Sequence, residues 1–183
     1  MKCFIIAAIS ADGYIAKNAK HAAFWTSKED KKRFVELTKR AGIVVMGHNT
    51  FATLPSMLRE RTNIVYSFGI KPEEEEKFKG VEITKEKPSD LLQTLESRGF
   101  KEVAICGGSE IYTMFMKAGV VDTLYLTIEP VIFGSGVRLF NGDMLYQLHL
   151  KNSGQAENGS LLLEYRVDYA GAPTTIVNDS TAK

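Results

Sequence analysis

The sequence predicts an α/β fold: a mostly parallel central sheet with an antiparallel C-terminal edge and helices on both faces. Three observations carry this expectation. The apolar runs Phe4 to Ile9, Ile43 to Met46 and Val103 to Cys106 read as strands buried within a sheet. Between the strand patterns lie amphipathic helical ones, so most of the chain alternates strand and helix. The chain then closes with two strand patterns and no helix between them.

The elements follow in order. A strand over 3–10 leads to a helix over 28–40, whose Phe34 and Leu37 fall on the face that also carries Asp30. A strand at 43–46 precedes a short helix after Thr50, and strands follow at 63–67 and 80–84. Helices over 88–98 and 108–118 flank a strand at 103–106; the second buries Ile111, Phe115 and Met116. A strand at 123–131 and the final pair, 145–152 and 160–168, complete the sheet. Lys71 to Lys77, with four consecutive glutamates, reads as a solvated loop or helix start. Residues 1–169 are expected to form a single domain. Residues 170–183, with Gly171, Pro173, Ser180 and few large apolar groups, have the composition of a disordered tail.

Composition sets limits on function. The 183 residues are 44% hydrophobic and 25% charged, with a formal net charge of +1, so neither a nucleic-acid nor a membrane partner is indicated. Cys3 and Cys106 sit in apolar strand patterns as small hydrophobes, and no metal site is expected. No apolar stretch approaches the roughly 20 residues of a membrane helix, and a cytoplasmic enzyme or binding protein is the natural class. Pro130 to Phe140 is apolar enough for an interface, and core packing explains it equally well. Monomer and homodimer both remain open.

The only tryptophan, Trp25, stands five residues before Asp30 where a strand gives way to a helix, the place where α/β proteins gather chemistry. Helix capping is the rival explanation. Ser27 followed by an acid three residues later fits a helix start, with the serine on free amides and the acid at the positive end of the dipole. Against this, an acid on an apolar stripe is costly unless it is paired or in use.

Two turns suit a phosphate-bearing ligand. Gly47-His48-Asn49-Thr50 follows a strand and opens a helix; Gly47 permits close approach, Thr50 can cap, and His48 can add a donor. Gly107-Gly108-Ser109-Glu110-Ile111-Tyr112 repeats the arrangement, with a glycine gap for a flat ring or pyrophosphate and Ser109 as the cap. Each is also ordinary turn architecture. Together they suit a dinucleotide gripped at both ends.

With these motifs in view the chain resembles the dihydrofolate reductases and the related riboflavin-pathway pyrimidine reductases over about residues 3–168. The resemblance rests on Trp25, Asp30 and Phe34, on Met46-Gly47-His48-Asn49-Thr50, on Gly107 to Tyr112, and on Leu124-Tyr125-Leu126-Thr127. It implies a dihydrofolate-reductase-like fold and NADPH-dependent reduction of 7,8-dihydrofolate to tetrahydrofolate. It also implies site roles. Asp30, joined by Thr127, accepts hydrogen bonds from the 2-amino group and ring nitrogen of a pterin. Phe34 and Ile6 pack on the ring faces, and Arg61 takes the carboxylate of the glutamate tail. Ala8, Ile15 and Gly107 adjoin the nicotinamide. Gly47, His48, Asn49, Thr50, Ser67, Gly108, Ser109, Glu110, Ile111 and Tyr112 line the rest of the cofactor. Trp25 and the Ala16 to Phe24 loop limit entry of water.

The chain departs from that pattern in places. His48 and Glu110 stand where folate enzymes that prefer the phosphorylated cofactor commonly have arginine. Lys71 offers compensation, which leaves NADPH as the expected cofactor and NADH open. Ser10 to Ala16, Trp25-Thr26-Ser27 and Glu129 to Phe140 are similar to the riboflavin-pathway enzymes, for which the substrate is a ribosylamino-pyrimidine 5'-phosphate. A protein that kept the fold and bound nucleotide without turnover is the third reading.

Overall fold

Side chains along a strand alternate between its faces, and in the first strand both faces are apolar. In the computed structural model, which describes residues 1–170, β1 (Lys2–Ser10) sends Cys3, Ile5 and Ala7 into one core and Phe4 and Ile6 into another. The same split recurs in β3 (Ile43–Gly47), where Ile43 and Val45 join the first core and Val44 and Met46 the second. Only a strand covered on both sides can hold such a sequence.

The covers are helices. α1 (Lys28–Ala41) and α2 (His48–Thr53) lie over the second core through Phe34, Leu37, Ala41 and Phe51, with Phe78 from α3 (Glu75–Phe78). α4 (Pro88–Ser97) and α5 (Ser109–Lys117) cover the first through Leu91, Leu95, Ile111, Phe115 and Met116. α1 stops where Gly42 takes φ 71°, a conformation an L side chain resists.

The sheet has eight strands. β4 (Thr62–Tyr66), β5 (Glu82–Thr84), β6 (Glu102–Ile105), β7 (Thr123–Glu129), β9 (Gln147–Gln155) and β10 (Leu161–Asp168) join β1 and β3 in the order β5-β4-β3-β6-β1-β7-β10-β9. Pairings from β5 through β7 are parallel, and β10 runs antiparallel to both β7 and β9. This is the expected architecture: a mostly parallel sheet, an antiparallel C-terminal edge and helices on both faces.

Several boundaries differ from expectation. The short helix begins at His48 and not after Thr50, and the β9 strand reaches Gln155. A second sheet, unanticipated, pairs β2 (Tyr14–Ala16) with β8 (Val137–Arg138). Gly136 is obligatory there, because a Cβ would fall 2.2 Å from the Ala16 carbonyl oxygen. The expected tail falls outside the described residues except for Ala170. Among the described residues no helix is long and apolar enough to cross a membrane, and no group of three or more side chains suits a metal ion.

Candidate functional site

The carboxyl ends of β1, β3, β4 and β6 open into one cleft of about 1150 Å³. This is where parallel sheets bind ligands, since strand ends and helix N-termini converge there. Ile6, Ala8, Ile15, Trp25, Asp30, Phe34 and Arg61 line it, as do Gly47 to Thr50, Ser67 and Gly107 to Tyr112. Thr127 alone among the expected residues does not. It lies 2% exposed on β7, behind Asp30, in register with Ala8.

Asp30 is third in α1 and 8% exposed. Ser27 does cap the helix, its hydroxyl accepting the Asp30 backbone N–H at 3.1 Å. The reciprocal half of a capping box is not made by Asp30. Instead the Ser27 backbone N–H donates to Glu129 Oε1 at 2.7 Å, and the Ser27 hydroxyl donates to the same oxygen at 2.8 Å. Asp30 therefore keeps its carboxyl. Burial raises its pKa; the hydroxyls of Thr127 and Thr26 pull it back, Glu129 adds to the rise and Arg33 opposes it. The net direction is upward.

Glu129 is a residue that sequence reasoning missed. It is 2% exposed and also accepts from the hydroxyl of Ser160 and the amide of Asn158. Burial pushes its pKa up, but the donors on Ser160, Ser27 and Asn158 outweigh this and hold it below the usual carboxylate range. One signal was available: Tyr125, Thr127 and Glu129 alternate onto one face of β7, so the acid shares a side with α1.

Phe34 and Arg61 extend the arm that begins at Asp30. Arg61 Nη1 donates to Thr38 Oγ1 at 2.7 Å and Nε to the Arg59 carbonyl at 2.9 Å, which fixes the guanidinium beside the cleft. Thr38 in turn donates to the Phe34 carbonyl at 2.6 Å. Trp25 stands at the mouth, its ring 4.8 Å from that of Phe133, and its buried indole N–H has no partner.

The second arm lies between the two glycine turns. A Cβ on Gly108 would meet Thr50 Oγ1 at 3.1 Å, and one on Gly47 would meet the Ile111 side chain at 3.1 Å. Gly107 has φ 114°, and its Cβ would sit 3.2 Å from the Tyr112 hydroxyl, which donates to the Ile6 carbonyl at 2.8 Å. The expected caps are corrected: Gly47 and Gly108 occupy the N-cap positions and no side chain bonds there. Thr50 and Ser109 lie inside the helices. Ser109 is 6% exposed, and its hydroxyl is left without a partner at the N-terminus of α5. An orphaned donor, free helix amides and the missing Cβ on Gly108 fit a phosphate-bearing cofactor pressed on the backbone.

His48 is not a free donor. Nδ1 lies 3.1 Å from the Ser67 hydroxyl and Nε2 3.0 Å from Glu74 Oε1, with the ring stacked 4.8 Å from Phe78. Part of the acidic run read as solvated thus turns inward. Lys71 and Lys85 line the same end of the cleft.

A family model described as dihydrofolate reductase matches residues 2–143. The chain is 33% identical over 119 residues to a dihydrofolate reductase of Ureaplasma parvum, covering 64% of this chain and 68% of that protein. It is 25% identical over 146 residues to an uncharacterised protein of Bacillus subtilis, covering 76% and 83%. Among solved structures it is similar to a putative riboflavin biosynthesis protein from a Shewanella species, with TM-score 0.76, 24% identity, and coverage of 92% of this chain and 99% of that one. RibD from Acinetobacter baumannii gives TM-score 0.76 at 18% identity, covering 91% of this chain and 58% of that one. At such identities the solved structures share the fold.

Proposed function

The chain belongs to the dihydrofolate reductase family, a family of oxidoreductases, and we propose that it is an NADPH-dependent dihydrofolate reductase. The observation that carries this reading is Asp30: a buried carboxyl relieved of capping duty by Glu129, in a cleft that also holds Phe34 and Arg61. An acid in an apolar cleft suits the polar edge of a pterin, where a 2-amino group and a ring N–H donate side by side. Arg61 suits the carboxylate at the far end of the substrate.

Each side chain then has a task. Phe34 and Ile6 hold the ring between them, and Thr127 steadies the Asp30 carboxyl from behind. The Asp30 carboxylate, accepting from the ring edge, polarises the pterin while water delivers the proton to the ring nitrogen. Trp25 and the loop before it exclude other water. In the second arm Thr50, Ser109 and the α5 amides take phosphates. A reduced nicotinamide cofactor held there would supply the hydride for the carbon of the C=N bond. Lys71 and Lys85 favour the phosphorylated cofactor, and the Glu74 carboxylate among them makes NADH the comparison to run.

A second reading, reduction of a ribosylamino-pyrimidine 5'-phosphate, has its own support. The β2–β8 sheet joins the two segments that are similar to the riboflavin-pathway enzymes, pairing Tyr14 with Arg138. Binding separates the two readings. Methotrexate at about 100 times its Kd adds about 2.7 kcal/mol to the stability of a protein with a pterin site, which raises the unfolding midpoint by about 5–10 °C. The wild-type protein is expected to show this rise and Asp30→Asn to lose most of it. An unchanged wild-type midpoint at saturating drug sinks the pterin reading.

A further inference from the structure

The chemistry assigned to the cleft makes no use of Glu129, although with Asp30 it is one of the two buried acids among the described residues. Its surroundings explain why it is there. α1 begins with a serine cap and an acid at the third position, the spacing at which that acid ordinarily reaches back to the cap's backbone N–H. Were Asp30 to do so, its carboxyl would be spent on the helix end and would face away from the cleft. Here the Ser27 N–H is taken at 2.7 Å by a carboxylate from β7, 102 residues away in sequence.

We infer that Glu129 is a positioning residue for the reductase centre: it replaces Asp30 as the acceptor at the α1 N-terminus, so that the Asp30 carboxyl remains turned to the ligand. The replacement is built on both sides. Ser27 supplies two donors to one oxygen of Glu129, and Ser160 and Asn158, from the turn between β9 and β10, bond the other. The carboxylate is thereby fixed between the start of α1 and the antiparallel edge of the sheet. Register places it two pairs beyond the Ala8–Thr127 pair, on the same face of β7, with Glu129 opposite Ser10.

A second effect follows from charge. The groups that act on Asp30 are Thr26 and Arg33 near its own helix turn and Thr127 and Glu129 from β7; the buried Tyr112 hydroxyl of α5 also feels its charge. With its own pKa held low by four donors, Glu129 places a fixed negative charge beside Asp30 and favours the protonated form of that acid. Arg33, its guanidinium held by the carbonyls of Leu126 and Leu163, opposes this with a smaller effect.

The functional consequence rests on the reading of Asp30 as the ligand anchor, whereas the test is made on the ligand-free protein and stands without any substrate. The carboxyl carbons of Asp30 and Glu129 and the Ser27 amide proton are followed by NMR through an acid titration. The Ser27 amide is expected to shift with the titration of Glu129, well below that of Asp30. An amide that titrates with Asp30 overturns the inference, because Asp30 then makes the capping bond. In Glu129→Gln the Asp30 carboxyl is expected to titrate at lower pH than in wild type, and in the charge-retaining Glu129→Asp to stay raised. An Asp30 titration that does not move in the glutamine variant also overturns it. If the glutamine variant does not fold, the wild-type amide titration alone decides. Activity then gives a separate reading: with dihydrofolate as a confirmed substrate, the pH profile of kcat/KM moves with Asp30 in the glutamine variant.

Discussion

Alanine at Gly107 tests whether the glycine turn between the two arms is held by conformation and by contact together. At φ 114° an L residue pays about 1–2 kcal/mol. The new Cβ would lie 3.2 Å from the Tyr112 hydroxyl and 3.3 Å from its ring carbon, tighter than van der Waals contact allows. Tyr112 has little room to yield, being 4% exposed and bonded to the Ile6 carbonyl, and weakening that bond costs about 1 kcal/mol more. The sum is about 2–3 kcal/mol. With a urea slope of about 2 kcal/mol per M, the unfolding midpoint falls by about 1–1.5 M. Gly99→Ala is the control: its φ is 92° but nothing lies within 4 Å of the added Cβ, so it pays the conformational part alone. Equilibrium urea unfolding followed by circular dichroism measures both. If Gly107→Ala costs no more than Gly99→Ala, the Tyr112 contact carries no energy and the argument for a rigid turn fails.

Other outcomes follow from the same geometry. Because the folded pKa of Asp30 lies above its unfolded value, its contribution to stability is full below the unfolded pKa and is lost as pH rises through the folded one. Asp30→Asn lacks that loss. Near neutral pH it should be more stable than wild type by about 0.5–2 kcal/mol while losing about a hundredfold or more in turnover, and reduced stability there would contradict the burial argument. Arg61→Gln should raise KM for dihydrofolate about 10- to 100-fold and leave a pterin without the glutamate tail unaffected; equal effects on both would remove Arg61 from the substrate arm. Ser109→Ala removes a buried hydroxyl that has no partner. It should leave the ligand-free protein as stable as before and weaken NADPH binding about 5-fold, read by calorimetry; unchanged affinity would mean that the hydroxyl meets no ligand.

The sheet was legible because its strands are buried on both sides. Phe4 to Ile9, Ile43 to Met46 and Val103 to Cys106 write their place as uninterrupted apolar runs, and the Phe34 and Leu37 stripe of α1 sets which helix face meets them. The parts of the site that one short segment carries, Trp25 with Asp30 and the two glycine turns, could be read the same way. What escaped depends on distant pairing. Glu129 meets Ser27 across 102 residues and His48 meets Glu74 across 26, and no local pattern announces either bond. The caps were misassigned for a different reason: at Gly47 and Gly108 the N-cap is a glycine whose missing side chain leaves room, so a hydroxyl residue further on, Thr50 or Ser109, drew the assignment. β2 and β8 are too short for a period of two to show.

The central claim is that the Asp30 carboxyl holds a pterin for reduction. The most direct measurement is steady-state oxidation of NADPH by the purified protein, with 7,8-dihydrofolate in one series and the ribosylamino-pyrimidine 5'-phosphate in the other, run for wild type and Asp30→Asn. Turnover with dihydrofolate, formation of tetrahydrofolate, and loss of both in the asparagine variant are predicted. Turnover with the pyrimidine alone, or dihydrofolate reduction undiminished in Asp30→Asn, would contradict it.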